Sequence, residues 1–272
     1  GSPPLFLQLI APANLIARRR LTYRITDFHT ECAIAEKDGR TSLALGTLMA
    51  LTKVWRRRVH RFEVLGHDQA KRLIDMGISE DRLVLKRDPS PVSIDDTTTP
   101  LPRPEAAAGA HTLILYSGNW GVAHDEDTIL AAYKAHHTTE GSGRVMLWLN
   151  AVGSRAATVR DTLRAAGLPF VDGQPVPLSD LASLLVTPDA HLITLRDPFV
   201  GYVLPSKVYG CAASGRPVVY VGSESSDVHL VCDEANLPLY ARVDVGAVTA
   251  LTAACEGLAD HVETKRRTSH GG

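Results

Sequence analysis

The stretch that decides the fold spans residues 204–222 and has the sequence LPSKVYGCAASGRPVVYVG. Pro205 suits the entry to a helix, and Ser206 offers a side-chain oxygen that can cap its first turn. Gly215 stands where a helix needs a left-handed residue to end, and Pro217 prevents its continuation. The apolar run that follows predicts a buried strand. The stretch therefore predicts a loop, a short helix and a core strand of an α/β protein.

The start of this predicted helix carries a basic residue. The first-turn N–H groups of a helix are unpaired and attract anions, and the ammonium of Lys207 adds a positive charge beside them. We expect a phosphate group here, bound by Ser206 and Lys207. The alternative is a capped surface helix with a solvated lysine.

Strand-like and helix-like segments alternate along the whole chain. In the first half, the predicted strands are 5–10, 21–25, 63–66 and 83–85, and the predicted helices are 42–62 and 67–76. In the second half, the predicted strands are 111–116, 145–150, 170–171, 190–195 and 218–221, and the predicted helices are 125–137, 155–166, 179–185 and 206–213. This alternation predicts parallel βαβ units in a doubly wound open sheet, whose ligands bind at the carboxyl ends of the strands.

The composition changes over residues 89–110, which are rich in Pro, Ser, Thr, Asp and Ala. Such a segment predicts a linker that is stiffened by proline. We therefore expect a first α/β unit over residues 1–88 and a second over residues 111–245. A C-terminal helix and tail should occupy residues 246–272.

Composition excludes several classes of function. The formal net charge is −1, whereas nucleic-acid binding usually needs a clearly basic face. The four cysteines are scattered without a C-x-x-C pair, so the sequence predicts neither a zinc site nor a disulfide framework and suits a reducing cytoplasm. No run approaches the roughly 18 apolar residues needed to cross a bilayer. We expect a soluble or peripheral protein that binds no metal.

A glycine-containing loop follows the apolar run at 111–115. Residues 116–121 have the sequence YSGNWG, in which Gly118 allows a phosphate or a sugar to approach the backbone. Asn119 tolerates a left-handed conformation and can donate a hydrogen bond. His124, near the start of the next helix, is a third candidate contact. A plain βα turn and a surface histidine are the alternatives, because a lone G-x-x-G motif is weak evidence.

A histidine stands at the end of another predicted strand. Residues 26–31 have the sequence TDFHTE, so His29 lies between two carboxylates. An imidazole can donate or accept a hydrogen bond near neutral pH. On these residues alone, a core or capping histidine is the ordinary interpretation.

The segments 26–31, 116–121 and 204–222, in this order and spacing along the chain, resemble those of the GT-B-fold glycosyltransferases of family four. The resemblance spans roughly residues 20–260. It implies an α/β, GT-B-like fold with a Rossmann-like C-terminal domain that binds the donor and an incomplete N-terminal Rossmann-like domain on the acceptor side. It also implies retaining, metal-independent transfer of a hexose-type sugar from a nucleoside-diphosphate sugar, above all a UDP-sugar. The acceptor would be a glycan, a lipid-linked molecule or a small molecule.

The same resemblance assigns roles to individual residues. It places His29 against the donor sugar as the candidate catalytic residue, where a histidine orients the sugar and does not act as the nucleophile. For Arg196, loop structure alone is the alternative. The residues expected to contact the donor are Gly118, Asn119, Gly121, His124, Arg196, Ser206 and Lys207.

The sequence departs from the family pattern in three places. No strand with a second glycine loop precedes Pro3, and Gly1-Ser2 resembles a cloning remnant, so we expect a fragment or a short protein that lacks the front of its N-terminal domain. The basic residues that usually bind phosphate are absent from 122–127, and Gly210 and Tyr202 stand where many relatives have two glutamates. Two alternatives therefore remain. One is a non-catalytic nucleotide-sugar-binding protein that depends on a partner chain for the missing segment, and the other is a GT-B-type nucleotide-sugar epimerase.

Two arginine runs lie in the first half of the chain, at 18–20 and 56–58. Such runs are usually solvated faces. The alternative is contact with the inner face of a membrane, because basic residues near a surface attract anionic headgroups by about 1 kcal/mol each. This alternative suits a lipid-linked acceptor.

Overall fold

The computed structural model describes residues 5–37, 39–107, 112–138 and 141–270. Residues 269 and 270 are described by their backbone only. The expected remnant Gly1-Ser2 and His111 of a predicted strand lie outside the described residues. The chain forms two compact units. The first unit contains the described residues up to Asp88 together with Asp197–Pro205 and Ser225–Asp227. The second unit contains Pro89–Arg196, Ser206–Glu224 and the described residues from Val228 onward.

The first unit is built on a three-stranded parallel sheet with the order β1-β2-β3. Thr22 pairs with Arg61, and Phe62 pairs with Leu83. Its core contains Phe28 and Phe62, which are fully buried. The elements are α1 (Phe6–Ala17), β1 (Thr22–Ile25), α2 (His29–Ala35), α3 (Leu43–Arg58), β2 (Arg61–Val64), α4 (His67–Asp75) and β3 (Leu83–Leu85).

The structure corrects two predictions in this unit. Residues 5–10, predicted as a strand, belong to helix α1, in which Leu7 and Ala11 lie four residues apart and are both buried. A short apolar run does not distinguish a strand from a buried helix, and here the apolar residues continue at helical spacing. The helix predicted over 42–62 ends at Arg58, because Phe62 belongs to β2.

The second unit is a six-stranded sheet with the order β6-β5-β4-β7-β8-β9, and every pair of neighbours is parallel. The predicted α/β class with parallel sheets is confirmed. Helix α9 and strand β9 were not predicted. The elements are β4 (Thr112–Asn119), α5 (Asp127–Thr138), β5 (Val145–Val152), α6 (Ala156–Ala165), β6 (Phe170–Asp172), α7 (Leu181–Val186), β7 (Ala190–Thr194), α8 (Lys207–Ala213), β8 (Val218–Val221), α9 (Asp227–Glu234), β9 (Tyr240–Val243) and α10 (Val248–His270).

The strand order of the second unit reverses between β4 and β7. Successive strands are added on one side of β4 up to β6, and β7 then begins the other side. Strands β7 and β8 are buried along their whole length. In open parallel sheets, ligands bind in the crevice beyond the carboxyl ends of the strands at this reversal. The candidate site should therefore lie where β4 and β7 end.

None of the described helices is long and apolar enough to cross a bilayer.

Candidate functional site

The carboxyl end of β4 has an unusual backbone at its second-to-last residue. Gly118 has φ +111°, a conformation that side chains rarely allow. A Cβ built there would lie 3.9 Å from Cε of Lys207. Asn119, which could tolerate a left-handed conformation, is not among the described residues with positive φ, and Gly118 supplies the turn. Gly118 therefore brings the end of β4 close to the lysine.

The loop after β4 is held by backbone hydrogen bonds to its neighbours. The N–H of Trp120 donates to the carbonyl of Val152 at 2.6 Å, and the N–H of Arg155 donates to the carbonyl of Trp120 at 3.0 Å. The amide of Asn119 packs on Gly153, where a Cβ would lie 2.0 Å from Oδ1 of Asn119. These contacts fix the loop against β5 and the start of α6. A Cβ at Gly121 would lie 3.4 Å from Nδ2 of Asn119, so Gly121 lies beside the same amide.

Lys207 is the most unusual residue of the site. Its Nζ lies 3.3 Å from the centre of the Tyr116 ring. The residue as a whole is half-buried, but Nζ itself is excluded from solvent and has no hydrogen-bond partner among the described residues. Burial lowers the pKa of this lysine from 10.5 to about 7. A buried ammonium without a partner is costly, and an anionic ligand at Nζ would offset that cost.

Tyr116 lies between an indole and an ammonium. The ring of Trp120 stacks on it with centres 3.9 Å apart and planes at 26°. Because the indole and Nζ of Lys207 are both within 4 Å of the ring centre, they must occupy opposite faces. The hydroxyl of Tyr116 donates to the carbonyl of Asn119 at 3.0 Å. The glycine loop and the lysine are thus joined through one aromatic ring.

His124 is a buried part of the site and not a surface residue. Only 7% of it is exposed, and its Nδ1 lies 2.6 Å from the carbonyl of Thr194, to which Nδ1–H donates. Burial, and next the Lys207 ammonium, lower the pKa of His124 to about 3. The surface alternative for this histidine is therefore wrong, and the ring is neutral at physiological pH.

Arg196 supports the glycine loop from the end of β7. Its N–H donates to the carbonyl of Ala123 at 2.9 Å, and its Nη1 donates to the carbonyl of Val122 at 3.2 Å. These bonds fix the segment that leads into His124. The Arg196 side chain thus stabilises the loop after β4, in addition to the contact with the donor that the sequence predicts.

Ser206 does not cap α8. The residue is exposed and has helical dihedral angles, φ −58° and ψ −20°, and its side chain makes no capping hydrogen bond. A capping residue normally has an extended conformation, which aims its oxygen at the first-turn N–H groups, so the predicted cap is wrong. Gly215 has φ +62°, which confirms the predicted end of the helix. Helix α8 is only seven residues long and begins at Lys207.

His29 belongs to the first unit. It is exposed and is the first residue of α2, not the last of a strand. The core alternative for His29 is therefore wrong. The neighbouring Asp27 has a raised pKa because it is buried, and His29 partly opposes this effect.

The two arginine runs differ in their exposure. Arg18, Arg19 and Arg20 are exposed, as are Arg57 and Arg58. Arg56 is instead buried and forms a two-pronged ion pair with the carboxylate of Glu31. Only part of the second run is thus available to a partner.

The structure brings together most of the residues that the sequence singled out. In the second unit, five of them lie at the ends of β4 and β7: Gly118, Asn119, His124, Arg196 and Lys207. Sequence reasoning missed the part played by Tyr116. A signal was present, because Tyr116 and Gly118 are two residues apart on one strand and so share a face. In the part of the chain that the structure describes, no group of three His, Cys, Asp or Glu side chains is placed to hold a metal ion.

No family model and no curated protein matches the chain. Among solved structures, it is similar to Anabaena HepE in complex with UDP, with a TM-score of 0.64 and 12% identity over 95% of this chain and 70% of that one. The complex of HepE with UDP-glucose gives a TM-score of 0.62 at the same identity and coverage. The lipopolysaccharide outer core galactosyltransferase WaaB gives a TM-score of 0.55 and 12% identity over 93% of this chain and 70% of that one. S. aureus MnaA in complex with UDP gives a TM-score of 0.53 and 11% identity over 93% of this chain and 71% of that one.

At these identities the similarity establishes the fold. The predicted α/β, GT-B-like fold is confirmed by its likeness to these GT-B glycosyltransferase structures. Membership of family four and the expected lack of a front segment stay predictions.

Proposed function

We propose that this chain binds a nucleoside-diphosphate sugar and transfers the sugar to an acceptor with retention of configuration and without a metal ion. The observation that carries the proposal is the buried ammonium of Lys207, which has no hydrogen-bond partner among the described residues. It lies beside Gly118, at the point where the strand order of the sheet reverses. A diphosphate would supply both the negative charge and the acceptor oxygens that Nζ lacks.

The chemistry follows from the position of the positive charge. When the bond between the sugar and the diphosphate breaks, negative charge grows on the leaving phosphate. Lys207 would stabilise that charge, because its side chain lies beside Gly118 at the end of β4. The missing side chain at Gly118 leaves room for the diphosphate next to the backbone. In this scheme the acceptor hydroxyl attacks on the face from which the leaving group departs, and His29 orients the sugar.

The proposed donor is taken from solved structures that have a similar fold. HepE has been solved with UDP and with UDP-glucose, so we propose a UDP-hexose as the donor. The acceptor would be a glycan, a lipid-linked molecule or a small molecule. Of the other predicted contacts, Asn119, Gly121, His124, Arg196 and Ser206 stay candidates.

A calorimetric titration tests donor binding. The wild-type chain is titrated with the diphosphates of uridine, guanosine, adenosine and thymidine and compared with Lys207→Met. We expect one of these ligands, UDP above all, to bind the wild type and to bind Lys207→Met about 10- to 100-fold more weakly, since a hydrogen bond to a charged group contributes ~1.5–3 kcal/mol. Lys134→Met, which removes an exposed lysine from α5, should bind like the wild type. If no diphosphate binds, or if Lys207→Met binds as tightly as the wild type, the proposal is wrong.

Product analysis separates transfer from the two alternatives. A retaining transferase joins the sugar from UDP-glucose to an acceptor, and the anomeric proton of the product shows the configuration of the donor. An epimerase changes or releases the sugar when no acceptor is present. A partner-dependent binding protein leaves the donor intact until a partner chain is added. Inverted configuration in the product would contradict the retaining mechanism.

We also propose that the exposed arginines contact anionic lipid. The register of Thr22 with Arg61 places the runs before β1 and β2 at the same end of the sheet, and Ile16 beside them is 89% exposed. Flotation with phosphatidylglycerol vesicles should retain the chain, and phosphatidylcholine vesicles should not. Replacement of Arg18, Arg19 and Arg20 by glutamate should abolish the retention. Equal binding to both kinds of vesicle would contradict an electrostatic contact.

A further inference from the structure

The Lys207 ammonium has an aromatic ring where a carboxylate would be expected. Its Nζ lies over the centre of Tyr116 at 3.3 Å, on the face opposite the stacked Trp120. A cation over a ring face is attracted by the negative face of the π-system, and the attraction is strongest where water is excluded. Because the indole and the hydroxyl bond to Asn119 fix the ring, the ring also fixes the lysine.

The titratable groups of the second unit that act on Nζ carry no charge to balance it. His124 is neutral because its pKa is lowered to about 3. Cys211, on the same helix as the lysine, is a neutral thiol because burial raises its pKa to about 12. Glu126 acts on Tyr116, but its carboxylate is paired with Arg155 at 2.6 Å. Burial therefore dominates, and it favours the uncharged amine.

We propose that Tyr116 is a positioning residue whose ring face holds the Lys207 side chain in its binding position, and that binding of a diphosphate at this site takes up a proton. The inference rests on the proposed function and adds to it the way in which pH controls the site.

The proton comes from solvent and no other bond changes. With a pKa of about 7, roughly half of the free molecules carry Lys207 as the amine at neutral pH. A bound diphosphate favours the ammonium, so the amine gains a proton as the ligand binds. Below pH 7 the lysine is already charged and binding is tightest. Above pH 7 each further pH unit should weaken binding by up to about tenfold, because a proton must be taken up first.

Calorimetry with UDP-glucose measures this proton directly. Each phosphate of a nucleotide sugar carries one stable negative charge across this pH range, so the ligand itself does not titrate. Titrations of the wild type in buffers of different ionisation enthalpy give the number of protons taken up. A lysine with a pKa near 7 predicts about 0.1 proton at pH 6, about 0.5 at pH 7 and about 0.9 at pH 8.

Two substitutions of Tyr116 separate positioning from folding. Tyr116→Phe keeps the ring face and loses only the hydrogen bond to Asn119, so its pH profile should match that of the wild type. Tyr116→Leu removes the ring face, which makes the ammonium less stable, so the midpoint of its profile should fall by about one pH unit and its affinity at pH 8 by about tenfold. Its affinity should approach that of the wild type again as the pH falls below the new midpoint. A merely structural role would weaken binding equally at every pH.

Two results would overturn the inference while leaving donor binding intact. One is tight binding of UDP-glucose by the wild type with no proton uptake at pH 8, a measurement that does not depend on any variant. The other is a Tyr116→Leu profile with the wild-type midpoint. Failure of the wild type to bind at any pH would instead contradict the proposed function, and this inference with it.

Discussion

Replacement of Lys207 by methionine should make the folded protein more stable while it weakens nucleotide binding. The lowering of its pKa from 10.5 to about 7 corresponds to ~5 kcal/mol of unfavourable free energy when the lysine is fully protonated. Methionine has nearly the same length and flexibility and should fill the space without a cavity. We therefore expect a net gain of several kcal/mol, at most ~5 kcal/mol, below pH 7.

The gain should depend on pH in a defined direction. Between about pH 7 and 10.5 the unfolded chain holds the Lys207 proton and the folded chain does not, so the stability of the wild type rises with pH. The gain from Lys207→Met is therefore largest below pH 7 and disappears above pH 10.5. Urea unfolding of the wild type, Lys207→Met and the exposed control Lys134→Met at pH 6, 7, 8 and 9 measures this dependence. A Lys207→Met protein that is less stable than the wild type at pH 6, or a gain of the same size at every pH, would refute the reasoning.

Substitutions at three further residues test other parts of the site and fold. Gly118→Ala should cost about 1 kcal/mol or more in urea unfolding because of the strained φ of +111°, and calorimetry should show weaker UDP binding. Trp120→Phe should cost much less than Trp120→Ala, for which we expect ~3–5 kcal/mol, because the buried indole N–H has no hydrogen-bond partner among the described residues and phenylalanine keeps an aromatic ring against Tyr116; equal losses in the two variants would contradict this account. The pKa of Asp68 is raised to about 7 because the carboxyl is buried beside Asp227, so the folded state holds a proton that the unfolded state loses between pH 3.8 and 7, and wild-type stability falls over that range. Asp68→Asn should remove this fall and raise the melting temperature more at pH 8 than at pH 5, and an equal effect at both values would contradict the assignment.

The strands of the second unit could be predicted because of how they are buried. In a sheet covered on both faces, strands are nearly continuous apolar runs, as in 218–221 and, apart from His191 and Thr194, in 190–195. Helix α1 was mistaken for a strand because the six residues 5–10, which are apolar except for Gln8, do not define a period. The addition of Asp197–Pro205 and Ser225–Asp227 to the first unit depends on contacts between residues far apart in the chain. No local pattern contains that information.

The site could be predicted in position but not in chemistry. Lys207 and Gly118 were recognised from the order of their motifs, and the structure places them side by side. The ring contact of Lys207 depends on how α8, which packs against β7, places its first residue beside the end of β4. The buried His124 finds its hydrogen-bond acceptor in a carbonyl at the end of β7, far away in the sequence. Ser206 was expected to cap a helix, but its dihedral angles are helical. Tertiary packing decided each of these features.

A crystal structure of the chain grown with UDP tests the central claim most directly. We predict that diphosphate oxygens lie within about 2.7–3.2 Å of Nζ of Lys207, next to Gly118. A diphosphate bound elsewhere, with Nζ of Lys207 still without a polar partner, would contradict the account.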